Sequence, residues 1–332
     1  IQILSPNTVA SGARGSLVPE GLSLREHLLS RICVQPPYFA LTELERDGEW
    51  VQARAYPLAP VDEHGPFSHA EAARHLAIVG SCAVSLRSPV PGKVYYPVMR
   101  AYYPDPPRDL PSAPAAALDS FRVRGRCLEL DVRRSKATAT TELLDDQGEV
   151  LHRLVVDYHV IPERQFTQLF QAHAVATHEA SGEDPYDAWH ALAGYEERAG
   201  GSLVASLGPV DPRHCSGHFL GYPALPVSVM MRRAIQLVAA GVRRAPGLHH
   251  ARIELVSGSA ETQAFVFAHE TASLSAHRLA MSHAGRRQTW HCELHGERGC
   301  AASFEFGIDV HQNVHQALAT TTAFNRSARL AG

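Results

Sequence analysis

The sequence predicts an α+β protein in which two antiparallel sheets each wrap around a central apolar helix. Two observations carry this prediction. Each half of the 332-residue chain contains one helix-like segment with few polar faces, and each of these segments is followed by strand-like segments separated by turns. A helix that is apolar on most sides must be buried. A sheet that curls around such a helix provides the cover it needs.

The first central helix is predicted from Ser68 to Ser85. Ser68 is a candidate N-cap, and Glu71 follows three residues later, which is the spacing of a capping box. Apolar and small residues then recur at helical spacing. The triplet Gly80-Ser81-Cys82 lies in mid-helix and lacks the strand-to-helix turn of a serine nucleophile. We therefore interpret the triplet as a small, packed face.

Strand-like segments lie on both sides of this helix. Residues 39–56 predict a hairpin around an Asp47-Gly48 turn, and residues 121–161 predict an antiparallel meander of three strands. Prolines between these segments, at residues 89–107, exclude a helix there. Residues 162–201 are polar and end in a Gly-Gly pair, so we interpret them as a helical or irregular linker.

The second half repeats the same order of elements. A strand-like segment at 202–210 leads through a loop to an apolar helix from about Pro226 to Val242. Further strand-like segments follow at 251–256, 261–269, 275–283, 288–294 and 300–306. This internal repeat predicts the hotdog arrangement twice over. The predicted domains are residues 1–163 and 202–332, joined by a linker at 164–201.

The composition argues against several classes of protein. The formal net charge is −3, so no general field favours nucleic acid or an anionic membrane. The six cysteines form no CxxC pair, no apolar run reaches the roughly 20 residues of a membrane span, and the opening residues lack a signal-peptide pattern. Neither HExxH nor a phosphate-binding glycine motif occurs. We expect a soluble cytoplasmic protein without a metal or nucleotide cofactor.

The loop before the second helix resembles a known signature. Residues 217–226, GHFLGYPALP, resemble the GHFPGxPxMPG signature of bacterial 3-hydroxyacyl-acyl-carrier-protein dehydratases, which have the hotdog fold. The resemblance implies that His218 is the general acid and base at the acyl chain. It also implies that a backbone N–H where the helix begins, at Val227, polarises the thioester carbonyl. Gly221, a glycine of the signature, and Val227 are therefore candidate substrate-binding residues.

The sequence departs from the family pattern in both halves. Arg232 stands where the family has its helix carboxylate, and Gly65-Pro66-Phe67 replaces the Gly-His-Phe triplet in the first half. We therefore expect one working site per chain, built from His218 and from groups on the first half's helix.

The partner of His218 stays open at this point. When the two helices are aligned by their buried faces, Arg74 falls opposite Arg232. Either arginine could hold a carboxylate or phosphate, because its fork of donors suits those anions. The ionisable groups near Arg74 are His75 and, one turn earlier, Glu71, which are the candidate catalytic residues beside His218. The loop carboxylates Asp62 and Glu63 are further candidates for the missing acid.

Three functions are compatible with these residues. The first is a dehydratase-like lyase acting on a 3-hydroxyacyl thioester in fatty acid or polyketide biosynthesis. The second is a thioesterase of the same fold, and the third is a non-catalytic subunit that binds an acyl carrier. In each case the resemblance implies a substrate held on the phosphopantetheine of an acyl carrier protein or on CoA. The two halves can form a complete pair within one chain, and further homodimerisation stays open.

Overall fold

The fold is seen in a computed structural model that describes residues 21–58, 63, 67–104, 119–175, 185, 192, 194–282 and 285–311. The elements up to residue 170 are α1 (Leu24–Arg31), β1 (Thr42–Asp47), β2 (Trp50–Ala55), α2 (His69–Arg87), β3 (Val94–Tyr95), β4 (Val98–Tyr102), β5 (Phe121–Asp131), β6 (Lys136–Leu144), β7 (Val150–His159), β8 (Ile161–Pro162) and α3 (Glu163–Phe170). Those beyond it are β9 (Glu196–Glu197), β10 (Leu203–Pro209), α4 (Val227–Arg243), β11 (Arg252–Thr262), β12 (Thr271–Met281), β13 (Arg287–Gly296) and β14 (Gly299–His311), with 3₁₀ turns at Gln171–His173 and Pro212–Cys215.

One antiparallel sheet runs through both halves of the chain. Its strand order is β1-β2-β5-β6-β7-β4-β11-β14-β13-β12-β10-β9, while β3 and β8 form a separate pair. The two halves meet where β4 pairs with β11, with Tyr102 opposite Ser259 and Ala101 opposite Ala260. The halves are therefore joined by backbone hydrogen bonds as well as by the linker.

The two central helices are covered as their composition predicts. Helix α2 packs on β2, β5, β6 and β7, helix α4 packs on β10 to β14, and the two helices contact each other. Most residues of both helices are buried, including Leu76, Val79 and Cys82 on α2 and Ile235 and Val238 on α4. The predicted double hotdog fold is confirmed, but the two expected sheets are joined into one sheet, each half of which covers an apolar helix.

Small residues set the distance between α2 and its sheet. A Cβ atom on Gly125 of β5 would lie 2.8 Å from the carbonyl oxygen of Val79, and a Cβ atom on Gly80 would collide with the hydroxyl of Tyr158. That hydroxyl donates to the carbonyl oxygen of Ala77 at 2.7 Å. The predicted small face around Gly80 is thus the surface on which the sheet closes over the helix.

Two local predictions were wrong. Ser68 makes no side-chain capping bond, and the carboxylate of Glu71 instead accepts a hydrogen bond from the backbone N–H of Leu58 at 2.7 Å. The capping box is lost because a donor in the preceding segment takes the glutamate. The strand expected at 261–269 ends at Thr262, where β11 ends. The following residues leave the sheet, and Phe267 pairs with Ala224 near the start of α4.

The predicted linker takes part in the folded structure. The side chain of Phe166 on α3 is fully buried and stacks on Tyr95 with ring centroids 3.6 Å apart. Strand β9 pairs with β10 at the edge of the large sheet. Residues 176–184, 186–191 and 193 of the predicted linker lie outside the described residues. None of the helices that the structure describes is both long and apolar enough to cross a membrane.

Candidate active site

A cavity of about 380 Å³ lies between the two central helices. Its walls include Ala73 and Arg74 of α2, Val227 and Ser228 at the start of α4, and the signature histidine His218. Side chains from both halves therefore line this one cavity. Most of the lining is apolar, with Ile78, Leu154, Leu225, Met230 and Met231 among its members.

The loop that carries His218 is fixed against the first half. The backbone N–H of Gln35 donates to the carbonyl oxygen of Gly217 at 2.8 Å, and Val34 forms a β-bridge with His218. Gly217 has a φ of +74°, and a Cβ atom there would collide with the carbonyl oxygen of Gln35. Glycine is thus required before the histidine because the chain is left-handed there and passes close to another backbone segment.

The imidazole of His218 is held in one orientation. Its Nδ1 lies 2.8 Å from the carbonyl oxygen of Ala224. Since a carbonyl can only accept, Nδ1 carries the hydrogen and the neutral ring keeps its lone pair on Nε2. The ring stacks on Phe219, with centroids 4.0 Å apart, and meets the edge of Tyr38 at 5.1 Å. This arrangement leaves Nε2 as a proton acceptor on a side chain that lines the cavity.

Burial keeps the imidazole neutral. Desolvation lowers the pKa of His218 from its ordinary value near 6.5 to about 4, and the hydrogen bond to Ala224 opposes this shift only in part. The ring is partly accessible from the cavity, yet protein atoms surround it closely enough to penalise the charged form. At neutral pH His218 is therefore an uncharged base.

Tyr38 links the histidine to the start of the second helix. Its hydroxyl lies 2.6 Å from the hydroxyl of Ser228, in the first turn of α4. Both side chains line the cavity. The first N–H groups of a helix have no partner within the helix, so the start of α4 presents donors and a positive dipole end beside His218. This pair was missed at the sequence level, where the only signal at Tyr38 is an aromatic residue after Pro36-Pro37.

Arg74 lines the cavity but anchors a neighbouring backbone segment. Its Nε and Nη2 donate to the carbonyl oxygen of Tyr38 at 2.9 and 2.7 Å, and Nη2 also donates to the carbonyl of Pro37 at 2.9 Å. The guanidinium lies over the Tyr38 ring, 4.7 Å from its centroid. The side chain is 0% exposed. In this position Arg74 holds in place the tyrosine that touches His218.

The two other predicted catalytic residues lie away from His218. Glu71 and His75 are buried on α2, with 3.8 Å between Oε1 of Glu71 and Nε2 of His75. The His75 ring meets the edge of Phe121, which belongs to the first half's sheet. Neither residue is among the described residues that line the cavity. The structure therefore does not bring the predicted trio together, because His75 faces its own sheet and Glu71 bonds the backbone of Leu58.

No Asp or Glu occurs among the described residues that line the cavity of His218. Glu63, one of the predicted loop carboxylates, is buried and bonded to His69, with 2.6 Å between Oε2 and Nδ1. The other, Asp62, lies outside the described residues, as does the Gly65-Pro66 pair. Within the described part of the chain, His218 is accordingly without a carboxylate partner in its cavity.

The remaining predicted binding residues do not lie in one site. Val227 lines the cavity of His218. Arg232 is 3% exposed and lines a second cavity instead, so Arg74 and Arg232 do not share a site. Gly221 adopts a φ of +83° in the signature loop, and its carbonyl oxygen accepts from the N–H of Val175 at 3.0 Å. In the described chain no group of three or more His, Cys, Asp or Glu side chains is arranged to hold a metal ion.

Similar folds occur among solved structures. No family model matches the sequence, and no curated protein matches it. The 12:0-ACP thioesterase from Umbellularia californica has a TM-score of 0.50 and 10% sequence identity, over 80% of this chain and 95% of that chain. The tesB protein of Mycobacterium avium subs paratuberculosis gives 0.48 and 13%, over 81% and 96%. A hot dog fold protein of unknown function from Alicyclobacillus acidocaldarius gives 0.42 and 13%, over 84% and 99%.

Proposed function

We propose that the chain is a hotdog thioesterase that hydrolyses an acyl thioester, with His218 activating the attacking water. The observation that carries the proposal is a neutral imidazole in a largely apolar cavity, next to a helix N-terminus and without a carboxylate among the described lining residues. The other reading, a dehydratase-like lyase, has the GHFLGYPALP loop in its favour.

Hydrolysis requires fewer catalytic groups at this site than dehydration does. Dehydration of a 3-hydroxyacyl thioester removes a proton from the α-carbon and delivers one to the departing hydroxyl, and the family that the loop resembles uses a histidine and a carboxylate. Hydrolysis needs one base to deprotonate water and donors for the oxyanion. His218 and the start of α4 provide these two functions.

The proposed reaction follows from the tautomer of His218. Nε2 accepts a proton from water as the water oxygen attacks the thioester carbonyl carbon, and the backbone N–H groups at the start of α4 hold the oxyanion. When the intermediate collapses, the C–S bond breaks and the imidazolium returns its proton to the thiolate. The products are the free acid and the thiol. The carbonyl oxygen of Ala224 holds the ring throughout, because Nδ1–H donates to it in both protonation states.

The substrate class is inferred from the lining of the cavity. Aliphatic side chains from both helices, together with Phe170, Phe219 and Phe265, suit an acyl chain. Phosphopantetheine, on an acyl carrier protein or on CoA, is the proposed carrier of the thioester. The protein from Umbellularia californica with this fold acts on an acyl carrier protein thioester by its description, which supports the proposed class.

Incubation with a 3-hydroxydecanoyl-pantetheine thioester separates the two reactions. The proposal predicts release of free thiol and 3-hydroxydecanoic acid. Loss of water with the thioester retained would favour the lyase and contradict the proposal. Binding of the thioester without either product would point to a carrier-binding subunit and would also contradict it. The His214→Asn variant, changed in the same loop but outside the described cavity lining, should give the same products as the unchanged chain.

A further inference from the structure

A second cavity, of about 320 Å³, lies at the counterpart position in the internal repeat. The first cavity lies between the start of α4 and the middle of α2. The second is bordered by Ser68, next to the start of α2, and by Arg232, Gln236 and Arg243 along α4. Because Pro66 stands where the second half has His218, we expected one working site per chain. The structure nevertheless has a cavity at the counterpart position.

Small residues on α4 create this space. Arg232, Gln236, Ala239 and Arg243 recur at helical spacing and so share one face of the helix. Ala239 and Ala240 line the cavity between the polar side chains. Larger residues at these two positions would occupy the volume. The face is therefore polar at both ends and recessed in the middle.

Two polar side chains of the cavity have hydrogen-bonding atoms that a ligand could engage. The Nε of Arg243 donates to the carbonyl oxygen of Ala251 at 3.1 Å, and its terminal nitrogens have no partner among the described residues. The Oε1 atom of Gln236 is buried and also has no hydrogen-bond donor there. A guanidinium suits a carboxylate, whereas an amide oxygen requires a hydroxyl or amine donor.

The opposite wall carries a carboxylate that is already engaged. Glu63 accepts from the hydroxyl of Ser68 at 3.2 Å through Oε1 and bonds Nδ1 of His69 at 2.6 Å through Oε2. Both Glu63 and His69 are 3% exposed. Because this carboxylate is bonded to Ser68 and His69, the guanidinium of Arg243 is the group of the described lining that suits an anionic ligand.

We propose that this second cavity binds a small hydroxy acid, whose carboxylate pairs with Arg243 and whose hydroxyl donates to Oε1 of Gln236. The site is separate from the cavity of His218 and does not depend on thioester hydrolysis.

Isothermal titration calorimetry of the full chain tests this with three probes. Sodium 3-hydroxybutyrate carries both groups, sodium butyrate lacks the hydroxyl, and 1,3-butanediol lacks the carboxylate. We expect saturable binding of 3-hydroxybutyrate, about tenfold weaker binding of butyrate, and none of the diol. Absence of saturable binding by 3-hydroxybutyrate, or equal binding of the diol, would overturn the proposal.

Variants assign the binding to particular side chains. Arg243→Gln should abolish binding, and Arg243→Lys, which keeps the charge but not the fork, should weaken it. Gln236→Leu should lower the affinity for 3-hydroxybutyrate to that for butyrate, and should leave the affinity for butyrate unchanged. The control Arg244→Gln, at an exposed arginine paired with Glu197 at 3.2 Å, should bind as the unchanged chain does. His218→Asn should also bind normally. Binding that survives Arg243→Gln, or that is lost in either control, would refute the assignment.

Discussion

Desolvation keeps two histidines of this chain neutral, but they stand in different surroundings. Desolvation lowers the pKa of His218 to about 4 and that of His152 to about 3, the latter with help from the nearby charge of His69. His218 lines a cavity and has a fixed tautomer. His152 packs between aromatic rings, stacked on Tyr103 at 4.2 Å. Of the two, His218 is the one placed to meet the proposed substrate.

The pH dependence of hydrolysis should follow His218. Because the proposed base acts in its neutral form, kcat/KM for an acyl-pantetheine thioester should be level from about pH 8 to pH 5 and fall as pH drops through about 4. Initial rates of thiol release across this range measure the profile. A rate that declines already around pH 6.5 would mean that the ring titrates as an exposed histidine does.

His152 should make the fold sensitive to acid. Its pKa is lower in the folded chain than in the unfolded chain, so its contribution to stability is intact above pH 6.5 and declines as pH falls from there toward 3. In that window the free energy of unfolding loses up to about 1.4 kcal/mol per pH unit from this group. The His152→Phe variant should lose less stability than the unchanged chain between pH 7 and pH 5 in urea unfolding. Equal losses would contradict this assignment.

At the scale of elements, the helices determine where the chemistry lies. The apolar face of α4 is wrapped by its own sheet, while its first turn is exposed to the cavity through Val227 and Ser228. Helix α2 supplies the opposite wall and, through Arg74, holds Tyr38. A shift of either helix would move the proposed oxyanion donors relative to His218.

The close packing of α2 on β5 should tolerate no added volume. In the Gly125→Ala variant the new methyl would lie 2.8 to 3.0 Å from backbone atoms of Val79 and Gly80. These backbone atoms cannot move away unless the whole helix shifts. We expect a loss of about 1–3 kcal/mol in the free energy of unfolding, measured by denaturant titration. Glu129→Ala, at an exposed position of the same strand, is the matched control and should change stability little. Equal stability of the two variants would contradict the packing described for this interface.

For the molecule as a whole, the sequence predicted the framework better than the contacts within it. The two apolar helices and the meanders behind them follow from periodicity, because burial alone dictates those patterns. The site required more. The Gly-His-Phe triplet located His218, whereas the contact of Tyr38 with Ser228 joins segments from the two halves that are far apart in the sequence. Such contacts between distant segments leave no periodic signal in a single sequence.

The prediction of Glu71 and His75 as catalytic residues shows the same limit of what a single sequence can predict. Helical spacing correctly placed them on α2 near Arg74, but which residues of a fully covered helix face the seam depends on its rotation about its own axis. His75 meets Phe121 of the first half's sheet, Glu71 bonds the segment that precedes the helix, and Arg74 faces the cavity. Likewise, alignment of the two helices paired Arg74 with Arg232, and the structure places them in separate cavities that correspond in the repeat.

In the proposed function, one neutral imidazole between the halves carries out thioester hydrolysis. The most direct test compares thiol release from an acyl-pantetheine thioester by His218→Asn and by the control His214→Asn at pH 7. We expect a loss of about 10²- to 10⁴-fold in kcat for His218→Asn, with the fold intact by circular dichroism, and no loss for the control. Hydrolysis that continues at the full rate in His218→Asn would contradict the proposal.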